Sequence, residues 1–420
     1  MANNLSSNIT RPLAKIFLEA FESSRVVTKT VNTQLLSGKF NPSTGTKVDF
    51  KRPHDYNTIR SAGGDISGAD KSDIIAGKAT GTVQPYFTSA TEWSNIQEAL
   101  ELDQLDQILE PMARRLVTDL ELDLAKFMRI NTGLNYGARG TAVDTWSDVA
   151  GAGAMMDSVG VPMSDNKYYL MNPFTTTSLA SAQSGLNAAD GLVRTAFEKA
   201  QIASNFGGMK ALTSNALSSY TSGSTTDRSG DLKTAPDATY VTAKDTMQQT
   251  MVIETLGTGT IEAGDQIQIA GVNRLNIATR QLILDATGAA VPWTGTVLSV
   301  VTITGNEATV VVSGAAIFEA NGQYNNVDAA PAAGAVVTIL GAAGTVYQPN
   351  LFYTEQAFGL GTVKLPKLYS TDTVATTSDG MSIRVSKYSD GDANTQKIRF
   401  DCLPAYACFN PNFAGQGYGV

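Results

Sequence analysis

The 420-residue chain has one histidine, His54, and two thiols, Cys402 and Cys408. His54 stands in Arg52-Pro53-His54-Asp55-Tyr56, where it could act as a general base only if folding buried it beside a serine or cysteine. Placed just after a strand-like run, it reads as exposed. A single histidine supplies neither a multi-histidine zinc site nor an H-E-x-x-H pair. Two cysteines supply no zinc ribbon, iron–sulfur cluster or disulfide scaffold. The pair flanks Leu-Pro-Ala-Tyr-Ala, a spacing wider than a metal pair normally has, and reads as reduced thiols on a C-terminal strand. Gly151-Ala-Gly153-Ala falls in a helical pattern and has Met156 where a third glycine would be needed, so it is no dinucleotide fingerprint. The phosphate-binding pattern G-x-x-x-x-G-K-S/T is absent. Asp119, Glu121 and Asp123 read as the solvated face of a long helix rather than as metal ligands. Asp265 follows Ala263-Gly264 at the mouth of a strand and reads as a turn residue bonding its own backbone. Arg114, Arg115, Lys126 and Arg129, interleaved with acids, read as a salt-bridged surface rather than a DNA stripe. Glycosidase carboxylates are defined by spatial separation, and nothing in the spacing points to them. No catalytic, cofactor or metal set can be assembled.

Composition agrees with this poverty of chemistry. Charged residues make up 17%, the hydrophobic fraction is 42% and the formal net charge is −8. Such a chain has ample material for a core and a neutral-polar surface. Its acidity argues against a dedicated nucleic-acid binder. No basic cluster precedes an apolar run at the N-terminus, and no stretch approaches a membrane span, so a soluble protein made in a reducing cytoplasm is expected. The length suggests two or three folded units, or one large domain with an insertion.

The elements that would position any site come in a distinctive order. Residues 11–24 pattern as a short amphipathic helix with Leu13, Ile16, Phe17, Ala20 and Phe21 on one face, to dock either on its own body or on a partner. Strand candidates Thr46–Pro53 and Ala79–Ser89 enclose some 25 polar residues including Gly63-Gly64-Asp65-Ile66-Ser67-Gly68. This reads as a long hairpin whose tip is functional or mobile. A long helical signal runs from about 95 to 130. Ser94 and Gln97 have capping-box spacing, and Pro111 is expected to kink the segment or start a second helix. Shorter helices are expected at 145–159, 174–184 and 191–202, with a buried strand Tyr168–Met171. Thr221–Gly230 reads as a Ser/Thr/Gly linker. Beyond it, strand candidates Gln249–Thr255, Asp265–Ala270, Gln281–Leu284, Val297–Ile303, Ala308–Val312 and Ala335–Leu340 indicate an all-β barrel or sandwich that carries much of the acidity. Mixed character then returns, with strands at Leu351–Tyr353, Met381–Lys387 and Lys397–Tyr406. The simplest organisation is a β-module inserted into one host formed by residues 1–220 and 348–420.

This order resembles the major coat proteins of short-tailed temperate bacteriophages. The resemblance is carried by Ala263-Gly-Asp-Gln-Ile-Gln-Ile-Ala-Gly-Val272, Pro349-Asn-Leu-Phe-Tyr-Thr-Glu-Gln-Ala-Phe358, Asp190-Gly-Leu-Val-Arg-Thr-Ala-Phe197, Asp119–Phe127, Ser389–Asn394 and Leu403–Asn410. It implies an α+β tailed-phage capsid fold: an N-terminal arm (1–35), an E-loop hairpin (36–94), a spine helix with A- and P-domain core (95–220), an inserted β-barrel domain (221–347) and a return to the core (348–420). It further implies self-assembly into hexamers and pentamers of an icosahedral shell, a separate scaffolding protein, a portal at one vertex and enclosed double-stranded DNA. No cofactor and no membrane are implied, and the chain would reside in the virion after assembly in the host cytoplasm. Candidate assembly residues are Lys15, Phe17, Glu19, Phe21 and Glu22 on the arm, Asp65 and Lys71 in the loop, and Asp265 in the insertion. The other readings weighed are a nanocompartment shell protein of the same fold and, more remotely, a glycan-binding or adhesin protein.

Overall fold

The computed structural model describes residues 17–36, 38–40, 45–61, 63–94, 105–184, 199, 202–369 and 372–419. The expected helix at 191–202 and the Ser94/Gln97 cap fall wholly or partly outside them. The chain forms two compact units, one of residues 1–48, 81–127 and 358–407, the other of residues 49–80, 128–357 and 408–420.

In the first unit, an antiparallel sheet has the strand order Thr373–Thr376, Ser382–Asp390, Thr395–Cys402, Phe87–Ser94. In a second sheet of this unit, Gly81–Val83 pairs antiparallel with Ala405–Ala407, beside Phe358–Thr362. The expected strand 79–89 is thus two strands of different sheets, and 397–406 likewise divides at Leu403. The long helix is Leu105–Ile130 and runs through Pro111 without restarting. Proline removes one helical hydrogen bond, but a buried stripe can outweigh that loss. Ala113, Leu116, Val117, Leu120 and Leu124 recur at helical spacing and are all buried.

In the second unit, a mixed six-stranded sheet has the order Leu134–Tyr136, Ala414–Gly417, Asn350–Thr354, Lys167–Met171, Met209–Thr213, Asn205–Phe206. Helix Trp146–Val159 starts at the expected capping box of Thr145 and Asp148. It buries Val149, Ala152 and Met156 in a core with Met171, Leu179 and Phe352. Helix Pro173–Ser184 is capped by Asn172, whose side chain accepts from the Thr175 N–H at 2.7 Å.

The same unit contains a closed barrel in the order Gln248–Glu254, Ala308–Ser313, Pro292–Val297, Gln266–Asn273, Val336–Ile339, Ser229–Leu232. Alternation fills it: Met251, Ile253, Ile267, Ile269, Val310, Val312, Val337 and Ile339 point inward around Trp293. The indole N–H donates to the Gly314 carbonyl at 2.9 Å. Two expected strands are corrected. Residues 297–303 span the turn between Pro292–Val297 and Val301–Ile303. Residues 281–284 form only isolated bridges, Leu275↔Leu282 and Leu284↔Ala290.

Thr221–Gly230 is not a loose linker either. Ser222 and Thr225 are buried, and the Thr225 hydroxyl donates to the Asp227 carbonyl at 3.1 Å. Composition misled because small hydroxylated residues suit buried polar corners as well as flexible chains. Tyr220–Thr221 pairs antiparallel with Val346–Tyr347, so the chain enters and leaves the barrel side by side.

Candidate functional site

The assembly candidates fall in three separate places. Lys15 lies outside the described residues. Residues 17–24 are helical, and Phe17 stacks on Phe400 with centroids 3.8 Å apart and planes 6° apart. Phe21 is fully buried, with the Arg25 guanidinium 5.5 Å from its ring centre. The apolar stripe is therefore covered by the chain's own sheet. Glu19 stays exposed, and the Glu22 carboxylate accepts from the Ser378 N–H at 2.8 Å.

Just after this helix the long helix contributes a residue read from sequence as solvated. Glu121 is 4% exposed and accepts from the Val26 N–H and from the Thr28 N–H and hydroxyl. Its place on the buried stripe, four residues from Val117 and three from Leu124, explains the correction. Asp123 accepts from the Tyr406 hydroxyl at 3.0 Å. Only Asp119 behaves as expected, in a surface pair with Arg115 at 3.0 Å. Burial holds the Glu121 carboxyl above its ordinary range, although the Val26, Val27 and Thr28 donors pull it down. The charged form is therefore the disfavoured one in the fold. That penalty is absent below the ordinary Glu range near ~4.3 and complete above the raised folded value. Glu121→Gln keeps an acceptor without the charge. It is expected to gain stability over the parent as pH rises from about 4 to 7. Urea denaturation at both pH values checks this, and a constant difference contradicts it.

The loop candidates are on the surface. Asp65 is exposed, and its carboxylate accepts from the Ser67 N–H at 2.9 Å, a bond that lowers its pKa. Lys71 is exposed, as is His54, whose placement agrees with the sequence reading.

Asp265 has the richest surroundings. It is 0% exposed and accepts at 3.0 Å from both the Glu262 and Gly223 N–H groups. The bond to Glu262 is the expected local turn. The bond to Gly223 and the ion pairs with Arg139 at 3.4 Å and Arg228 at 3.6 Å are additional. Arg139 is ringed by Tyr418, Tyr347 and Tyr220 at 5.0, 5.7 and 5.8 Å. Burial pushes the Tyr220 hydroxyl up to about 12, so this ring remains neutral and faces the cations with its π-electrons.

Arg129, expected on a salt-bridged surface, is 4% exposed and lies 4.2 Å from the Tyr220 ring centre. Gly264 permits its approach. The glycine has φ +101°, and a Cβ there would come 2.2 Å from an Arg129 nitrogen. Buried polar bonds continue along the barrel's root. Gln266 Nε2 donates to the Leu134 carbonyl at 3.0 Å, and Gln416 Nε2 to the Arg129 carbonyl at 3.0 Å. Arg274, 1% exposed, donates to the Gly133 and Thr294 carbonyls and at 3.3 Å to Asn412 Oδ1. Burial lowers its pKa.

The barrel is therefore seated on strands Leu134–Tyr136 and Ala414–Gly417 through directional polar contacts. Sequence reasoning missed Arg139, Arg228, Arg274 and the three tyrosines. The one available signal was a tyrosine at each end of the barrel segment, Tyr220 and Tyr347. The thiols are free; burial pushes Cys402 up to about 12, leaving it an unreactive packing residue. Among the described residues, no cluster of three metal-ligating side chains occurs, and no helix is long and apolar enough to cross a membrane.

Comparison with known proteins gives this architecture a context. The family described as "P22 coat protein - gene protein 5" matches residues 1–419. The major capsid protein of Acyrthosiphon pisum secondary endosymbiont phage 1 is 47% identical over 424 residues, covering 100% of both chains. Among solved structures, the capsid of cyanophage P-SCSP1u is similar over 93% of this chain and 86% of that chain, at 13% identity and TM-score 0.45. Mycobacterium phage Che8 is similar over 93% of this chain and 90% of that chain, at 10% identity and TM-score 0.46. Matched along essentially its whole length, the chain belongs to the P22 coat protein family: it is a phage major capsid protein, a structural subunit that associates with copies of itself to form the virion shell.

Proposed function

We propose that the subunit assembles, guided by a separate scaffolding protein, into the hexamers and pentamers of an icosahedral head. The head has a portal at one vertex and encloses double-stranded DNA without sequence-specific contacts. The observation that carries this reading is the full-length family match. The proposed division of labour is an arm at 1–35, a hairpin at 36–94, a spine and core at 95–220, an inserted barrel domain at 221–347 and a return at 348–420.

The arm's part is supported by its surface. Because Phe17 and Phe21 are buried, a scaffolding partner would meet the exposed acidic side at Glu19 with Glu22 beside it, which suits a basic helix. Residues 221–347 contain eleven Asp and Glu against five Lys and Arg. Acidity of this kind suits contacts with neighbouring subunits and lets DNA move past without adhering. Catalysis plays no part in this reading; repeated weak contacts over a closed lattice supply the stability.

Glu19→Lys with Glu22→Lys tests the arm. The variant is expected to remain folded and monomeric by circular dichroism and sedimentation, yet to give few closed particles when co-expressed with the scaffolding protein. A normal yield of closed shells would exclude the acidic side as the scaffolding contact.

A further inference from the structure

Both legs of the long loop between Lys51 and Lys78 are gripped by barrel-region segments. On the first leg, Arg280 donates to the Asp55 carboxylate, and Asn57 Nδ2 donates to the Asn321 carbonyl at 2.7 Å. The Asp55 N–H donates to the Tyr324 hydroxyl at 3.4 Å. On the second leg, Gln323 Nε2 donates to the Asp73 carbonyl at 2.6 Å. Ile75 packs against a cluster of Tyr240, Met247, Ala315 and Ile317. The Tyr240 and Tyr324 rings stack with centroids 3.7 Å apart. Gly77 is so close that a Cβ would come 2.7 Å from the Lys244 carbonyl. The legs also join each other, the Asn57 N–H donating to Ser72 Oγ at 2.8 Å. Between them, Asp65 and Lys71 are exposed.

Arg280 organises the grip. It is a non-glycine residue with φ 56°, a conformation that persists only where surrounding bonds over-determine it. Its N–H and that of Asn276 supply those bonds, to the Asn276 and Gln281 carbonyls at 2.8 and 2.9 Å, while its guanidinium donates to the Gln323 and Asn325 carbonyls as well as to Asp55. One side chain thereby shapes the 323–325 segment and fixes the loop's first leg.

We propose that this grip is a strap by which the barrel sets the direction of the long loop. Arg280 is its positioning residue; the strap attaches at Asp55 on the first leg and, through Gln323, at the Asp73 carbonyl on the second. The strap gives the inserted barrel a task besides packing: it presents the loop tip at one fixed angle. That the tip then meets a second copy of this chain rests on the assembly reading above; the strap itself does not.

Hydrogen exchange on the full-length monomer tests the strap. In Arg280→Ala, amides at 55–57 and 73–77 are expected to exchange at least ~10-fold faster, while barrel amides at 248–254 and 308–313 keep their parent rates, as for a local opening. The conservative variant Arg280→Lys, which keeps a cationic donor toward Asp55, is expected to retain part of the protection that Arg280→Ala loses. Unchanged exchange in the legs would overturn the proposal. So would equal acceleration throughout the barrel, which would make Arg280 merely part of the barrel's fold. If Arg280→Ala does not fold, Asp55→Ala reads the same quantity from the loop side. Normal shells built from a variant with freed legs would overturn the fixed-angle consequence and leave the strap standing.

Discussion

Asp265→Ala is expected to destabilise the second unit by about 3–5 kcal/mol, the cost of breaking a buried ion pair from one side. The carboxylate is fully buried and faces Arg139, whose side chain is 2% exposed. Removing it leaves Arg139 inside with only tyrosine rings and carbonyl dipoles, and leaves the Gly223 and Glu262 N–H groups without their acceptor. Asp265→Asn preserves an acceptor oxygen and is expected to cost less. The double variant Asp265→Leu with Arg139→Met removes both charges together and is expected to cost less than Asp265→Ala alone, because no charge remains stranded. Urea denaturation of the three variants measures this. A loss below about 1 kcal/mol for Asp265→Ala, the scale of a surface pair, would contradict the assignment.

The first unit has its own buried charge centre, and Asp401→Ala is expected to cost a similar ~3–5 kcal/mol there. Asp401 is 0% exposed. Arg384 donates twice to one carboxylate oxygen, at 2.6 and 3.1 Å. Arg399 at 2.6 Å and the Thr88 hydroxyl at 2.7 Å donate to the other. Burial by itself would raise this carboxyl, but the bonds from Thr88, Arg384 and Arg399 hold it below the ordinary aspartate value. A depressed folded-state value gives stability that is complete above the ordinary range near ~3.9 and is lost as pH falls through the folded value. The parent is therefore expected to lose its advantage over Asp401→Ala only as pH drops below about 4. Thermal or urea unfolding at pH 7 and pH 3 checks both size and sign; equal differences at the two pH values would place the effect outside the carboxylate.

What the sequence revealed follows from which forces act locally. The barrel was legible because alternation and turn residues recur within each short strand. The helix at Trp146–Val159 was legible because its cap, Thr145 with Asp148, is three residues wide. The arm's apolar stripe was visible, but its destination was not: Phe17 meets Phe400, far along the chain. Glu121 and Arg129 illustrate the same limit. Each is a charged helix residue whose burial is decided by a partner remote in sequence, the Val26–Thr28 turn for one and Tyr220 for the other. The strap was invisible for this reason too, since Asp55 and Arg280 are 225 positions apart. The strand assigned to 297–303 failed differently. A run of valine and isoleucine continues through the turn at Leu298–Val300, so hydrophobicity alone hides the break.

The chain is a phage coat subunit, and we propose that a separate scaffolding protein directs its assembly. Cryo-electron microscopy of particles purified after expression with and without the scaffolding protein tests it most directly. Closed icosahedral shells of hexamers and pentamers are expected in the first preparation, and open or irregular assemblies in the second. Identical closed shells in both preparations would contradict scaffolding-directed closure, and a chain that stays monomeric in both would contradict the reading as a shell subunit.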